Sequence, residues 1–184
     1  MNPKVVSNVL EDKDFIVLRD YFVNRMNSIR GSFDEFGRST LGESSDPILS
    51  EYSNKLLPLA QSFFSPTLKP SYALFAEYSN SNVSLHKHKD ANACTYTIDL
   101  VLYQDIPWGL WVEGKEYLAN ENEAILFWGE DQLHWREPVK NNRNILGVVF
   151  FHYVEPDHWW FTKGPEYVSV KREQLQKIIS ENNE

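Results

Sequence analysis

Between residues 71 and 155 the chain breaks into short runs rich in aromatic and β-branched residues: SYALFAEYS, TYTIDLVLY, GLWVEGKEYLA, AILFWG and NILGVVFFHYV. Asn, Asp, Gly and Pro divide them. Such runs read as strands joined by turns. Few arrangements bury the faces of so many short strands, and two sheets curling around a cavity, a jelly roll, is the natural one. The flanks differ. KVVSNVL reads as a short strand. EDKDFIVLRDYFVNRMNSI reads as a helix, with Phe15, Leu18, Phe22, Met26 and Ile29 on one apolar stripe and Gly31 as a stop signal. GRSTLGESSD reads as a polar loop. Asp46-Pro47 then opens a second helix over 48–63, with a kink or break expected at Pro58. VKREQLQKIISENNE returns to a helical pattern. The expected class is therefore α+β, in one domain over 1–184. Residues 1–70 give mainly helical support, 71–155 the jelly-roll core, and 156–184 an extension with a short C-terminal helix.

Composition narrows the function. A formal net charge of −8 argues against a general nucleic-acid binder, which needs clustered Lys and Arg. No run approaches the roughly 20 apolar residues of a membrane-spanning helix. The stretch MNPKVVSNVLEDKDF lacks the marks of a secretory signal. Cys94 is the single cysteine, which excludes an internal disulfide and fits a reducing compartment. A cytoplasmic location, no membrane partner and no nucleic-acid partner are the expectations.

The segment SLHKHKDANACTYTIDL places His86, His88 and Asp90 at alternate positions, on one face of a strand that persists through them. Two of the three could hold a metal with a ligand from elsewhere. His134, in GEDQLHWREPV, follows an apolar run and falls at a strand end or turn. Two histidines and one carboxylate form a facial triad that leaves the opposite face of Fe(II) open. Zinc suits the same donors. The plainer reading is a polar edge bearing surface histidines.

Further spacings sharpen the choice. Arg143 lies nine residues after His134, Tyr78 ten before His88, and Tyr103 closes the strand after Asp90. With Y-x9-H-K-D, the strand ending LVLY, NEAILFWG before LHWREPV, and RNIL after it, the chain resembles the iron(II)- and 2-oxoglutarate-dependent oxygenases of the prolyl hydroxylase-like branch. The resemblance spans about 72–153. It implies His88, Asp90 and His134 as iron ligands, and Arg143 as partner of the distal carboxylate of 2-oxoglutarate. Tyr103 would assist at that carboxylate, and Tyr78 would stand near the other end of the co-substrate. It implies hydroxylation of a C–H bond in an amino-acid residue or small metabolite, using O2, releasing succinate and CO2, with ascorbate as a reductant. The substrate would be a small molecule, peptide or protein. Two departures stand out. Ile145 sits where many members carry Ser or Thr, and His86 lies outside the His-x-Asp motif.

Alternation along TYTIDLVLY groups Thr97 and Asp99 with Tyr103, so all three are expected on the cavity face. A buried Asp99 needs a partner, either a cationic substrate group or an internal Arg or Lys. Trp111, Trp135 and Arg136 are candidates for the cavity rim, and the HWWF cluster at 158–161 is expected to pack the C-terminal region. A cupin-type metalloprotein without 2-oxoglutarate, binding through His86, His88 and His134, is the alternative, as is a non-catalytic module on the same fold.

Overall fold

Alternating burial along the strands sorts the core into two layers, one on each face of a six-stranded antiparallel sheet. The computed structural model describes residues 2–34, 36–42, 46–79, 83–139 and 145–163. Its strands are β1 (Lys4–Ser7), β2 (Arg38–Gly42), β3 (Lys69–Tyr78), β4 (Leu85–His88), β5 (Tyr96–Gln104), β6 (Leu110–Val112), β7 (Lys115–Tyr117), β8 (Glu123–Phe127), β9 (His134–Arg136) and β10 (Leu146–Val154). The large sheet runs β1-β8-β5-β10-β3-β2, and the small one β4-β9-β6-β7. Apart from the β6–β7 hairpin, successive strands of 69–154 alternate between the two sheets, which gives a double-stranded β-helix, or jelly roll.

The outer face of the large sheet carries the helices α1 (Asp12–Met26) and α2 (Pro47–Phe63). Phe15, Leu18, Phe22 and Met26 form the buried stripe of α1, and Phe22 stacks on Phe75 of β3 with ring centroids 4.2 Å apart. Asp46 caps α2 by accepting from the Ile48 amide, with Pro47 in the first turn. That carboxylate also accepts from the Tyr21 hydroxyl, which ties the two helices together. The helix runs unbroken through Pro58. The inner face of the large sheet contributes Ala76, Tyr78, Val101, Ile125, Phe127, Leu146 and Val148 to a second cluster with the small sheet.

Two expectations need correction. GRSTLGESSD is not a loop throughout, since Arg38–Gly42 forms edge strand β2 against β3. Ser39 and Leu41 are buried there, so tertiary pairing overrides weak strand propensity. The first 70 residues thus supply strands β1 and β2 to the large sheet as well as helices. At the other end, a four-residue helix α3 (Trp160–Lys163) is present, whereas the helix expected in VKREQLQKIISENNE lies outside the described residues.

Candidate metal centre and its cavity

Strand pairing brings the sparse histidines together. His88 ends β4 and His134 opens β9, and the two residues are direct cross-strand partners. Their rings lie 4.2 Å apart between centroids. Asp90 follows β4, with its amide donating to the Gly129 carbonyl at 2.8 Å. Its Oδ1 stands 3.5 Å from Nε2 of both His88 and His134. The three side chains offer ligand atoms within 4.8 Å of one another, a separation suited to one ion. Gly129 is required by this closeness, because a β-carbon there would overlap the Asp90 carboxylate.

The imidazoles are oriented from behind. Nδ1 of His88 lies 2.8 Å from the His86 carbonyl, and Nδ1 of His134 lies 2.9 Å from the Gln132 carbonyl. Each Nδ1–H donates to a carbonyl oxygen, which leaves Nε2 on the side of Asp90, where the neutral ring would offer its lone pair to a metal. Burial opposes charge on Asp90, but hydrogen bonds from His134 and His88 outweigh it and hold the carboxyl well below the usual range. Burial likewise opposes protonation of His88, but hydrogen bonding to Asp90 leaves its pKa raised. Two neutral imidazoles and a carboxylate fit a divalent transition metal.

The centre opens on a cavity of about 850 Å³. Phe36, Tyr72, Phe127, Phe150 and Trp159 give it aromatic walls, and Arg38, Asp99 and His152 add polar groups. Tyr72 sits 2.9 Å from the Cys94 sulfur. His152 Nδ1 lies 3.1 Å from Thr97 Oγ1. Burial lowers the His152 pKa to about 4. This value is below that of an unfolded histidine, so the unfolded chain takes up a proton first as the solution is acidified. Stability present at neutral pH is therefore lost as pH falls from about 6.5 to about 4, by up to about 3 kcal/mol. Urea unfolding at pH 7 and pH 4.5 should show that part of the acid sensitivity disappear in His152→Gln. Equal pH dependence in the two proteins would contradict it.

The sequence-expected residues separate clearly. His88, Asp90, His134, Thr97 and Asp99 line the cavity. Tyr78 is fully buried in the inner cluster, its ring edge-on to Trp108. Tyr103 does not share the cavity face with Asp99. The β5–β10 register shifts between Gly147 and Val148, and this bulge breaks the alternation beyond Val101. Tyr103 instead packs with the helix-side core and donates to Glu77 Oε2 at 2.6 Å. Gly147 makes room for it, since a β-carbon there would overlap the tyrosine ring. Arg30 completes that group, with Nε and Nη2 each 2.8 Å from the Glu77 carboxylate. Trp111 and Trp135 stack on each other as cross-strand partners, with Lys87 over Trp135, and neither lines the cavity. Arg136 is buried and bonds Asp99 at 2.8 Å. Arg143 lies outside the described residues.

Sequence reasoning missed Arg38, Tyr72, His152 and Trp159 as cavity residues. His152 was legible in principle, because alternation along β10 puts it in phase with Phe150 and Val148. Arg38 was hidden in the segment read as a loop, and Trp159 in a cluster read as packing.

No protein-family model matches the chain, and neither does any curated protein. Solved structures do match. HygX from Streptomyces hygroscopicus, with nickel, 2-oxoglutarate and hygromycin B bound, superposes with a TM-score of 0.64 at 10% identity, over 84% of this chain and 83% of that one. The epimerase SnoN, in complex with Fe3+, alpha ketoglutarate and nogalamycin RO, gives 0.64 at 10% identity, over 83% and 78%. A Trichoplax adhaerens prolyl hydroxylase, in complex with a hypoxia inducible factor peptide fragment, gives 0.59 at 12% identity, over 82% and 83%. The chain shares its double-stranded β-helix fold with these metal- and 2-oxoglutarate-binding enzymes and with prolyl hydroxylases.

Proposed function

We propose that the protein is an iron(II)- and 2-oxoglutarate-dependent oxygenase that hydroxylates a C–H bond of a small metabolite or an amino-acid residue. The observation that carries this reading is the His88–Asp90–His134 triad in the lining of an aromatic-walled cavity. Three donors from the protein would hold the metal and leave other coordination positions for ligands from the cavity. Shared fold with enzymes that bind metal and 2-oxoglutarate supports it. So does Asp99 in the cavity lining, whose Oδ1 is buried with no hydrogen-bond partner among the described residues.

Bound Fe(II) and 2-oxoglutarate would supply the oxidising chemistry, coupling O2 reduction and loss of CO2 to hydroxylation, with succinate as co-product. The chain's own residues do the rest. His88, Asp90 and His134 hold the metal with open positions. Backbone carbonyls of His86 and Gln132 fix both imidazole tautomers. Aromatic walls exclude stray water and orient the substrate, and His152 stays neutral beside the centre at physiological pH. HygX and the Trichoplax enzyme were seen with hygromycin B and a peptide fragment respectively. Both small-molecule and peptide or protein substrates are therefore the classes to screen.

A screen that reads succinate release and product mass together, with iron, O2 and ascorbate present, tests the reading. A substrate that gains one oxygen atom in step with succinate is the expected result. Succinate formation that persists undiminished in His88→Ala would defeat it.

A further inference from the structure

We propose that the chain carries a second cation site, formed by Asp90, Cys94 and His152, which takes Zn(II) through the Cys94 sulfur. It shares Asp90 with the triad and draws its other two ligands from elements that the triad does not use. The inference goes beyond the oxygenase reading and does not depend on it.

Two groups of metal-ligating side chains come together among the described residues, each with its ligand atoms within 4.8 Å of one another. One is the triad and the other is Asp90–Cys94–His152. Strand register builds the second. Tyr72, His152 and Thr97 form a row across β3, β10 and β5, each paired with the next. A short 3-10 turn, Asn92–Cys94, leads into β5 and sets Cys94 beside that row, with its sulfur 2.9 Å from the Tyr72 hydroxyl. Thr97 Oγ1 lies 3.1 Å from His152 Nδ1. A ligating imidazole is commonly held in this way through one nitrogen and binds the metal through the other. Asp90 has an oxygen for each group. Its Oδ1 faces His88 and His134. Its Oδ2 lies with the Cys94 carbonyl and Thr97 Oγ1 around the place that a β-carbon on Gly129 would take.

The donor types decide the ion. A thiolate, an imidazole and a carboxylate form a softer group than the triad, and sulfur ligands favour Zn(II) over Mn(II) or Mg(II). All three residues line the cavity, so a tetrahedral ion held by them keeps its fourth position for a ligand from the cavity. Binding exchanges one cation for one proton. The Cys94 S–H bond breaks, the sulfur–zinc bond forms with the sulfur's electron pair, and the proton leaves to solvent. Cys94 and His152 are both buried, and the ion's charge offsets that of the thiolate and of Asp90. The Tyr72 hydroxyl stands where it can donate to the thiolate sulfur, an outer contact of the kind that tunes metal ligands.

Anaerobic titration of the full-length protein with Co(II), a coloured stand-in for Zn(II), tests this. The wild type should develop a near-ultraviolet sulfur-to-cobalt charge-transfer band that added Zn(II) abolishes. The band should persist in His88→Ala, where the triad is broken, and vanish in Cys94→Ser. In the His88→Ala background, adding Cys94→Ser should weaken Zn(II) binding by more than about 100-fold, beyond the loss of an outer partner. Mn(II) binding to the triad should be the same in Cys94→Ser and the wild type. Absence of the band from the wild type would overturn the proposal. So would its loss in a folded His88→Ala, which would make Cys94 a ligand of the triad's own ion. If Cys94→Ser fails to fold, X-ray absorption of the zinc-loaded wild type decides. One sulfur at about 2.3 Å from zinc is expected, and a shell of nitrogen and oxygen alone would contradict the site. Failure on any of these counts leaves the triad and the oxygenase reading untouched, since Mn(II) binding is read separately.

Discussion

Asp90→Ala should lower the affinity for Mn(II) by more than about 100-fold, beyond what loss of an outer-sphere partner costs. The size follows from the geometry. Asp90 is the one carboxylate of the triad and stands equidistant from the two imidazoles, at 3.5 Å from each Nε2. Removing it leaves two neutral donors and no anionic ligand for a divalent ion. The rest of the centre should survive, because backbone carbonyls hold His88 and His134 from behind. Calorimetric metal titration beside a circular dichroism spectrum separates lost binding from lost fold. A folded Asp90→Ala that binds Mn(II) like the wild type would show that the ion sits elsewhere.

The second large effect lies in the packing that supports the site. Phe75 is fully buried on the helix side of β3 and stacks on Phe22 of α1, with an interplanar angle of 5°. Strand β3 pairs with both β10 and β2, so it carries Tyr72 and Tyr78 inward while Phe75 and Glu77 face outward. Phe75→Ala should cost about 3–5 kcal/mol through lost burial and a residual cavity. Domains of ordinary stability hold about 5–15 kcal/mol in total, so the variant should unfold at markedly lower urea. A cost under about 1 kcal/mol would contradict the account of α1 as an integral support for the sheet.

Much of this architecture is legible in the sequence because it depends on local rules. Alternation and turn residues mark β3, β5 and β10, and the Asp46-Pro47 pair marks the start of α2. His88, Asp90 and His134 are legible as a set because a spacing resemblance ties two distant segments together, and the β4–β9 pairing joins those segments in space. What the sequence hides is non-local. The bulge beyond Val101 turns Tyr103 to the helix side, and it arises from pairing with β10 rather than from anything in TYTIDLVLY itself. Edge strand β2 forms because β3 offers an unpaired edge, although RSTLG has weak strand character. The Asp99–Arg136 pair joins two segments whose spacing carries no motif.

The central claim is that the cavity holds iron and 2-oxoglutarate together. Anaerobic titration of the protein with Fe(II) and then 2-oxoglutarate, followed by visible absorption, tests it most directly. The account predicts a metal-to-ligand charge-transfer band that needs protein, iron and 2-oxoglutarate at once and vanishes in His134→Ala. Stoichiometric iron binding with no such band at saturating 2-oxoglutarate would contradict it.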